Sequence, residues 1–110
     1  MKVAIIGSRD IKEINMDIIS LSIEDELVSG GAIGVDACVA EYAKAHGIPL
    51  KEFYPDYKKY GRAAPIVRNK VIVDYADKVI AFWNGKSKGT KWVIDYCKKT
   101  GTPYEIVHHK

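Results

Sequence analysis

The sequence predicts an α/β domain in which helices cover both faces of a five-stranded parallel sheet. Short apolar runs alternate with amphipathic stretches of helical length along all 110 residues, as they do where strands and crossover helices follow one another. Three of the runs also end directly in a glycine-bearing turn. A chain of this length builds one core, so we assign residues 1–110 to a single domain.

The first half of the chain predicts two strands and two helices. The continuous apolar run at residues 2–6 predicts a buried strand. Residues 13–23 predict a short helix, and residues 26–29 a very short second strand. The second helix spans about residues 34–46, because Gly47 is well placed for a left-handed C-cap. The predicted inward side chains are Ile14, Ile18, Ile19 and Leu21 in the first helix and Val35, Val39, Tyr42 and Ala43 in the second.

The middle of the chain predicts a third strand, a loop and a third helix. Residues 50–54 form the strand, and residues 56–64 form a basic, aromatic loop. Pro65 opens the helix, because the N–H that proline lacks has no partner in a first helical turn. The helix then continues to about Tyr75. Its predicted buried side chains are Val67, Val71, Ile72 and Tyr75.

The last third predicts a strand, a helix and a final strand. Residues 78–83 are an apolar run typical of a sheet centre, residues 89–100 form the helix, and residues 104–107 form the fifth strand. The helix should turn Trp92, Val93, Tyr96 and Cys97 inward. Right-handed crossovers and the positions of the glycine turns favour the strand order 3-2-1-4-5, which is a three-layer Rossmann-like arrangement.

The composition is that of an ordinary folded domain and argues against several function classes. The formal charge is only +3 and is spread along the chain, so charge alone does not indicate a nucleic-acid partner. No stretch has the length of a membrane span or the pattern of a signal peptide, which predicts a cytoplasmic protein with no membrane partner. Cys38 and Cys97 are expected as buried or half-buried thiols. The histidines lack metal-binding spacing, so we expect no metal and no required cofactor.

The turn after the second strand carries Gly30, Gly31 and Gly34 just before a helix. Glycines let a ligand approach the backbone, and a helix N-terminus attracts anions. Alternatively, the glycines only permit a tight turn, and Asp36 only complements the helix dipole. The spacing is not that of the dinucleotide fingerprint, so a conventional NAD site is not predicted.

The turn at residues 84–90 also precedes a helix, but it is not a Walker A sequence. The hydroxyls of Ser87 and Thr90 and the N–H of Gly89 could hold a phosphate there. Alternatively, Thr90 is a simple helix cap, and Lys86 and Lys88 are solvated surface residues.

Two arginines can add positive charge at the same edge of the sheet. Arg9 follows the first strand and can bind a phosphate or carboxylate bidentately. Arg68 and Asn69 are adjacent in the third helix, so at most one should point straight into the crevice while the other braces a loop. Residues 57–62 could form a lid in which Tyr57 or Tyr60 stacks on a flat ring, or an aromatic surface without function.

Ligands of open parallel sheets bind at the carboxyl ends of the strands, where these turns should meet. The sequence therefore predicts a site for a nucleotide-like small molecule. The predicted ligand-binding residues are Gly7, Ser8, Arg9, Ser29, Gly30, Gly31, Ala32, Gly34, Asp36, Arg68, Asn69, Asn84, Gly85, Ser87, Gly89 and Thr90.

Four ordered segments of the chain resemble the SLOG superfamily, which includes the Smf/DprA DNA-processing proteins and the LOG phosphoribohydrolases. In its short stand-alone members of the YspA type the patterns GSRD, SGGAxGxD, YGxxAxxxRN and AFWxGxSxGT recur in this order, and here they begin at Gly7, Ser29, Tyr60 and Ala81. The resemblance spans essentially the whole chain. It implies a Rossmann-like fold, a pocket for a nucleotide or nucleotide-derived ligand and, by analogy, a possible homodimer.

The chain departs from the LOG hydrolases in two places. Those enzymes carry a glutamate pair just after the glycine turn, whereas Lys91, Trp92 and Val93 follow Thr90 here, and Asp95 comes too late. The region of residues 13–26 is also shorter. We therefore expect ligand binding, with a sensor role as one possibility. The alternatives are a nucleoside-monophosphate phosphoribohydrolase like LOG and a single-stranded DNA-binding module like DprA.

Overall fold

The computed structural model describes residues 1–19, 21, 24–31 and 34–108. It confirms an α/β fold with a five-stranded sheet in the order β3-β2-β1-β4-β5, and all neighbouring strands are parallel. The strands are β1 (Lys2–Gly7), β2 (Glu26–Ser29), β3 (Leu50–Glu52), β4 (Lys78–Trp83) and β5 (Tyr104–His108).

The third strand is shorter than predicted. Within the described part of the chain β3 pairs only with β2, and its register ends where Ser29 faces Glu52. One further backbone bond, from the N–H of Phe53 to the carbonyl of Ser29 at 2.9 Å, closes the ladder. Phe53 and Tyr54 therefore belong to the segment that leaves the sheet.

The helices are α1 (Val35–His46), α2 (Tyr57–Tyr60), α3 (Ala64–Tyr75) and α4 (Lys88–Thr100), with 3-10 turns at Met16–Ile18 and Gly61–Ala63. The predicted C-cap at Gly47 is confirmed, with a φ of 66°. Within the described ranges, no helix is both long enough and apolar enough to cross a membrane.

The helix predicted over residues 13–23 is wrong. Up to residue 19 there is only the 3-10 turn Met16–Ile18, where the Asn15 side chain accepts a hydrogen bond from the N–H of Asp17 at 3.0 Å. Such a local bond competes with helix formation. Ile11 and Met16 are buried, with Ile14, Ile19 and Leu21 packed around them, a spacing that no single helix face provides. Residues 20, 22 and 23 and the side chain of Ile18 are not described.

The loop predicted over residues 56–64 is instead helical. Asp56 caps α2 by accepting a hydrogen bond from the N–H of Lys59 at 3.1 Å, and the 3-10 turn Gly61–Ala63 leads directly into α3. Sequence reasoning missed this because a four-residue helix is too short to show an apolar period.

The core lies in two layers, one on each face of the sheet. Val3, Ile5 and Leu27 face α1 and pack with Val35 and Val39. The intervening strand residues point the other way, as a strand requires, and pack against α3 and α4. This second layer includes Ala4, Val28, Val79, Ile72, Val73, Val93, Ile94 and Cys97.

The inward faces of α3 and α4 differ from the prediction in several details, one of which is that Val67 and Tyr75 are only half-buried. In α3, Val71 is 42% exposed, whereas Val73 is 1% exposed, because Ile72 and Val73 face the sheet and Val71 lies toward the exposed Tyr54 and Tyr60. In α4, Ile94 is buried as well as the predicted Val93 and Cys97. The expectation for the thiols is confirmed: Cys38 is half-buried, and Cys97 is buried.

Candidate functional site

The turns after β1, β2 and β4 meet at one cleft of about 450 Å³ at the carboxyl edge of the sheet. The β1 turn forms one part of its wall, the β2 turn and the start of α1 form another, and α3 and the start of α4 complete it. The described residues that line the cleft are Ile6, Gly7, Ser8, Arg9, Asp10, Gly30, Asp36, Pro65, Arg68, Asn69, Ile72, Ser87, Gly89, Thr90 and Val93.

The cleft brings together ten of the predicted ligand-binding residues. These are Gly7, Ser8, Arg9, Gly30, Asp36, Arg68, Asn69, Ser87, Gly89 and Thr90. Five others lie beside the cleft without lining it: Ser29, Gly31, Gly34, Asn84 and Gly85. Ala32 belongs to the part of the chain that the structure does not describe.

Ser8 connects the carboxyl ends of β1 and β4 at the cleft. It is almost fully buried, and its N–H donates to the carbonyl of Phe82 at 3.2 Å. Its Oγ accepts a hydrogen bond from the N–H of Asn84 at 3.4 Å. The β1 turn and the β4 turn are therefore held as one unit, while the following Arg9 stays exposed at the cleft.

Asn84 organises the turn between β4 and α4. Its Oδ1 accepts hydrogen bonds from the N–H groups of Lys86 and Ser87, both at 2.8 Å. Its Nδ2 donates to the two carboxylate oxygens of Asp10 at 2.9 and 3.0 Å. Asn84 thus stabilises the turn beside the cleft and fixes the orientation of the Asp10 carboxylate, which lines the cleft.

The N-cap of α4 is Ser87, and the alternative that Thr90 caps this helix is wrong. The Oγ of Ser87 accepts a hydrogen bond from the N–H of Thr90 at 3.3 Å and donates to the Thr90 hydroxyl at 3.1 Å. Trp83 also holds this turn, since its indole N–H donates to the carbonyl of Ser87 at 3.0 Å. Thr90 is buried in the first turn of the helix, and the first N–H groups of α4 point toward the cleft end of the sheet.

The start of α1 lies tightly against the β1 turn. Gly34 is its N-cap, with a φ of 75°, and a Cβ there would lie 2.7 Å from the carbonyl oxygen of Arg9. Only glycine meets both conditions. Asp36 follows in the first helical turn and lines the cleft, where its negative charge also complements the helix dipole.

Arg68 is a half-buried cation that braces the β2 turn. Its Nη1 donates to the carbonyl of Gly30 at 2.7 Å and to that of Phe53 at 3.4 Å. Its Nε donates to Oδ1 of Asn69 at 2.8 Å. Arg68 and Asn69 both line the cleft, and Arg68 is the one that braces the loop. Burial lowers the pKa of Arg68, and the charge of Asp36 opposes that shift. The guanidinium remains protonated at neutral pH.

Asp10 is the functional candidate that sequence reasoning missed. It lines the cleft, although it was not among the predicted site residues. Its position directly after Arg9, in a polar run that follows a buried strand, was the available signal. The apolar floor of the cleft, from Ile6, Ile72 and Val93, could not be separated from the general core by sequence alone.

Comparisons with known proteins give no match. No family model, no curated protein and no solved structure matches this chain.

The cleft combines opposite charges over an apolar floor. Arg9 and Arg68 supply positive charge, Asp10 and Asp36 supply carboxylate oxygens, and the start of α4 supplies hydroxyls and backbone N–H groups. Such a mixture suits a small ligand that carries an anionic group together with hydroxyl donors. Across the described ranges, no group of three or more His, Cys, Asp and Glu side chains is placed to hold a metal ion.

The tyrosines predicted to stack from the segment at residues 57–62 do not line this cleft. Tyr57 and Tyr60 are exposed in α2, and Lys59 lies over the ring of Tyr60, with Nζ 5.3 Å from its centroid. Tyr60 borders a separate hollow of about 130 Å³, which is next to the cleft because Arg68 lines both.

Proposed function

We propose that this chain binds a nucleotide or nucleotide-derived ligand in the cleft at the carboxyl edge of its sheet. The observation that carries the proposal is the placement of Arg9, Arg68 and the start of α4 around one space of about 450 Å³. Volumes in this range are typical of small-molecule sites.

The phosphate of such a ligand belongs at the start of α4. A helix N-terminus offers unpaired N–H groups and a partial positive charge, and the hydroxyls of Ser87 and Thr90 stand beside it. Gly89 adds no side chain, and even a Cβ at this position would meet no other atom within 4 Å. Arg9 supplies an exposed cation that can bind the phosphate bidentately.

The carboxylates suit the sugar rather than the phosphate. Asp10 keeps acceptor capacity beyond its two bonds from Asn84, since a carboxylate offers about four lone-pair sites. A ribose hydroxyl can donate to it, whereas a second phosphate there would be repelled. The proposal thus orients the ligand, with its phosphate toward α4 and its hydroxyls toward the β1 turn.

We further propose that the chain is a SLOG-type protein of the short, stand-alone kind. The supporting observation is that the four matching segments include the β1 turn, the β2 turn, the α2–α3 segment and the β4 turn, which are the segments around this cleft. A cytoplasmic location is part of this proposal, since it keeps Cys38 and Cys97 as free thiols. Pairing into a homodimer stays a prediction.

Binding is tested by calorimetry against AMP, ADP-ribose, NAD and cyclic nucleotides. The Arg9→Ala variant should bind the preferred nucleotide about 10-fold or more weakly, because it removes a charge-assisted hydrogen bond to the phosphate. Lys98→Ala removes an exposed cation near the far end of α4 and is the matched control that should bind normally. Lack of binding by the wild-type protein up to millimolar nucleotide would overturn the proposal.

A second candidate function is the hydrolysis of a nucleoside monophosphate to free base. The observation that favours it is the presence of Asp10 and Asp36 in the cleft, because cleavage of the N-glycosidic bond needs a carboxylate to activate water or stabilise the sugar cation. Chromatography of AMP after incubation with the protein tests it. Release of adenine that is lost in Asp10→Asn would support an enzyme, and intact AMP would leave binding as the function.

A further inference from the structure

Tyr54 lies in the hollow next to the cleft and has a largely exposed aromatic side chain. It is 65% exposed and directly follows the last backbone bond of the β3 ladder. Its ring lies against Gly31, so closely that a Cβ on Gly31 would overlap it. Gly31 has a φ of 66°, so the turn is built around a residue that leaves room for this ring.

The Glu52 carboxylate acts on the hydroxyl end of the Tyr54 side chain. A hydrogen bond to Glu52, and secondly the negative charge of that carboxylate, raise the pKa of Tyr54 above its ordinary value. The phenol therefore keeps its proton at neutral pH. A ring that packs along one side against Gly31, yet is largely open to solvent, is preorganised for contact with another flat group.

Arg68 connects this ring to the cleft. It lines both the cleft and the hollow that contains Tyr54, and it donates to the carbonyl of Phe53, the residue before Tyr54. The Tyr54 ring contacts Gly31 in the turn after β2, and two strand spacings, roughly 10 Å, separate β2 from β4, which leads into α4. A phosphate at the start of α4 and a base at Tyr54 would thus be separated by about the reach of a sugar, with Arg68 between them.

We propose that Tyr54 is the stacking platform for the aromatic base of the ligand, and that the site therefore selects nucleotides over sugar phosphates. This inference rests on the proposed function. An aromatic side chain can stack on any base, because every base has a π-face. Tyr54 therefore adds affinity for nucleotides as a class without selecting one base.

The neighbouring tyrosines do not offer the same platform. The ring of Tyr60 is approached by Lys59, and Tyr57 borders neither the cleft nor the hollow. Among the described tyrosines near the cleft, Tyr54 alone combines exposure with contacts that fix the ring on the side of the β2 turn.

The test compares AMP with ribose 5-phosphate by calorimetry. Tyr54→Ala should weaken AMP binding about 5- to 150-fold, the range for loss of one stacked base, and should leave ribose 5-phosphate binding within twofold of wild type. Tyr54→Phe keeps the ring and should retain most of the AMP affinity. Tyr104→Ala, at the opposite edge of the sheet, should bind both compounds normally.

The two proposals fail in different ways. Equal affinity of Tyr54→Ala and wild type for AMP, or an equal loss for AMP and ribose 5-phosphate, overturns the stacking role while the phosphate site stands. Equal affinity of the wild-type protein for AMP and ribose 5-phosphate also overturns the stacking role while the phosphate site stands. If the wild-type protein binds neither compound, the proposed function and this inference fall together.

Discussion

At the scale of single residues, Gly30 controls how closely Arg68 approaches the β2 turn. Gly30 is buried, and its carbonyl accepts the 2.7 Å hydrogen bond from Arg68. A Cβ on Gly30 would overlap the guanidinium and lie 3.1 Å from Oδ2 of Asp36. We expect Gly30→Ala to lower the free energy of unfolding by about 1–3 kcal/mol, because the guanidinium must move away and loses its charge-assisted hydrogen bond to the Gly30 carbonyl. Urea unfolding measures this.

Gly89→Ala is the matched control, because Gly89 also lines the cleft. No atom lies within 4 Å of a Cβ built there, and Gly89 is within α4, where alanine is the better helix former. This variant should be as stable as wild type or more stable by up to about 1 kcal/mol. Similar losses of stability in both variants would show that the close approach of Arg68 is not what requires glycine at position 30.

The sequence indicated which residues lie at the cleft most directly where a short turn follows a strand. Ser8, Arg9 and Gly30 are such cases, and all three line the cleft. Asn84 also follows a strand, yet its side chain turns back to the Lys86 and Ser87 amides and to Asp10. That direction depends on a contact with a residue 74 positions away, which no local pattern contains.

At the scale of elements, the period of apolar residues predicted α1 and α4 nearly to their ends. Both helices end at glycines, Gly47 and Gly101, with positive φ. The pattern failed over residues 13–23, where apolar side chains reach the core from an irregular segment around the turn Met16–Ile18. Several apolar residues in a short window fit a helix whether or not the chain forms one.

The packing of α4 against the sheet makes a pH-dependent prediction. Complete burial of Cys97 raises the pKa of its thiol from 9.0 to about 11. The folded state therefore keeps this proton where the unfolded state loses it, so the stabilising effect is full below about pH 9 and is lost as the pH rises to about 11. The loss should reach about 2–3 kcal/mol.

Urea unfolding of wild type and Cys97→Ala between pH 8 and 11 measures that effect. Other groups titrate in the same range, so only the difference between the two proteins is informative. The variant lacks the thiol and should lose less stability than wild type across this interval. Parallel curves for the two proteins would contradict a raised thiol pKa in α4.

At the scale of the whole molecule, the strand order was predictable because handedness leaves few arrangements of alternating strands and helices. The order places the carboxyl ends of β1, β2 and β4 side by side, which predicts where the cleft lies. Its walls were less predictable. They depend on bonds such as that from Arg68 to Gly30, which spans 38 positions, and on the helical segment at Tyr57–Ala63 that replaced the predicted loop.

The two edges of the sheet should respond differently to a ligand. The carboxyl edge carries the turns that line the cleft, whereas the amino edge carries the turns at residues 47–49 and 101–103. A ligand that binds only the native state raises the overall stability of the protein by mass action, and it also suppresses local opening where it binds.

Saturating AMP should therefore slow amide hydrogen exchange most at residues 84–90 and at the β2 turn. The exchange rate there should fall by about 10-fold or more, which is the effect expected when the ligand concentration is about 10 Kd. Exchange at the amino-edge turns, which open without disturbing the cleft, should change little. Stronger protection at the amino edge than at residues 84–90 would place the ligand outside the cleft.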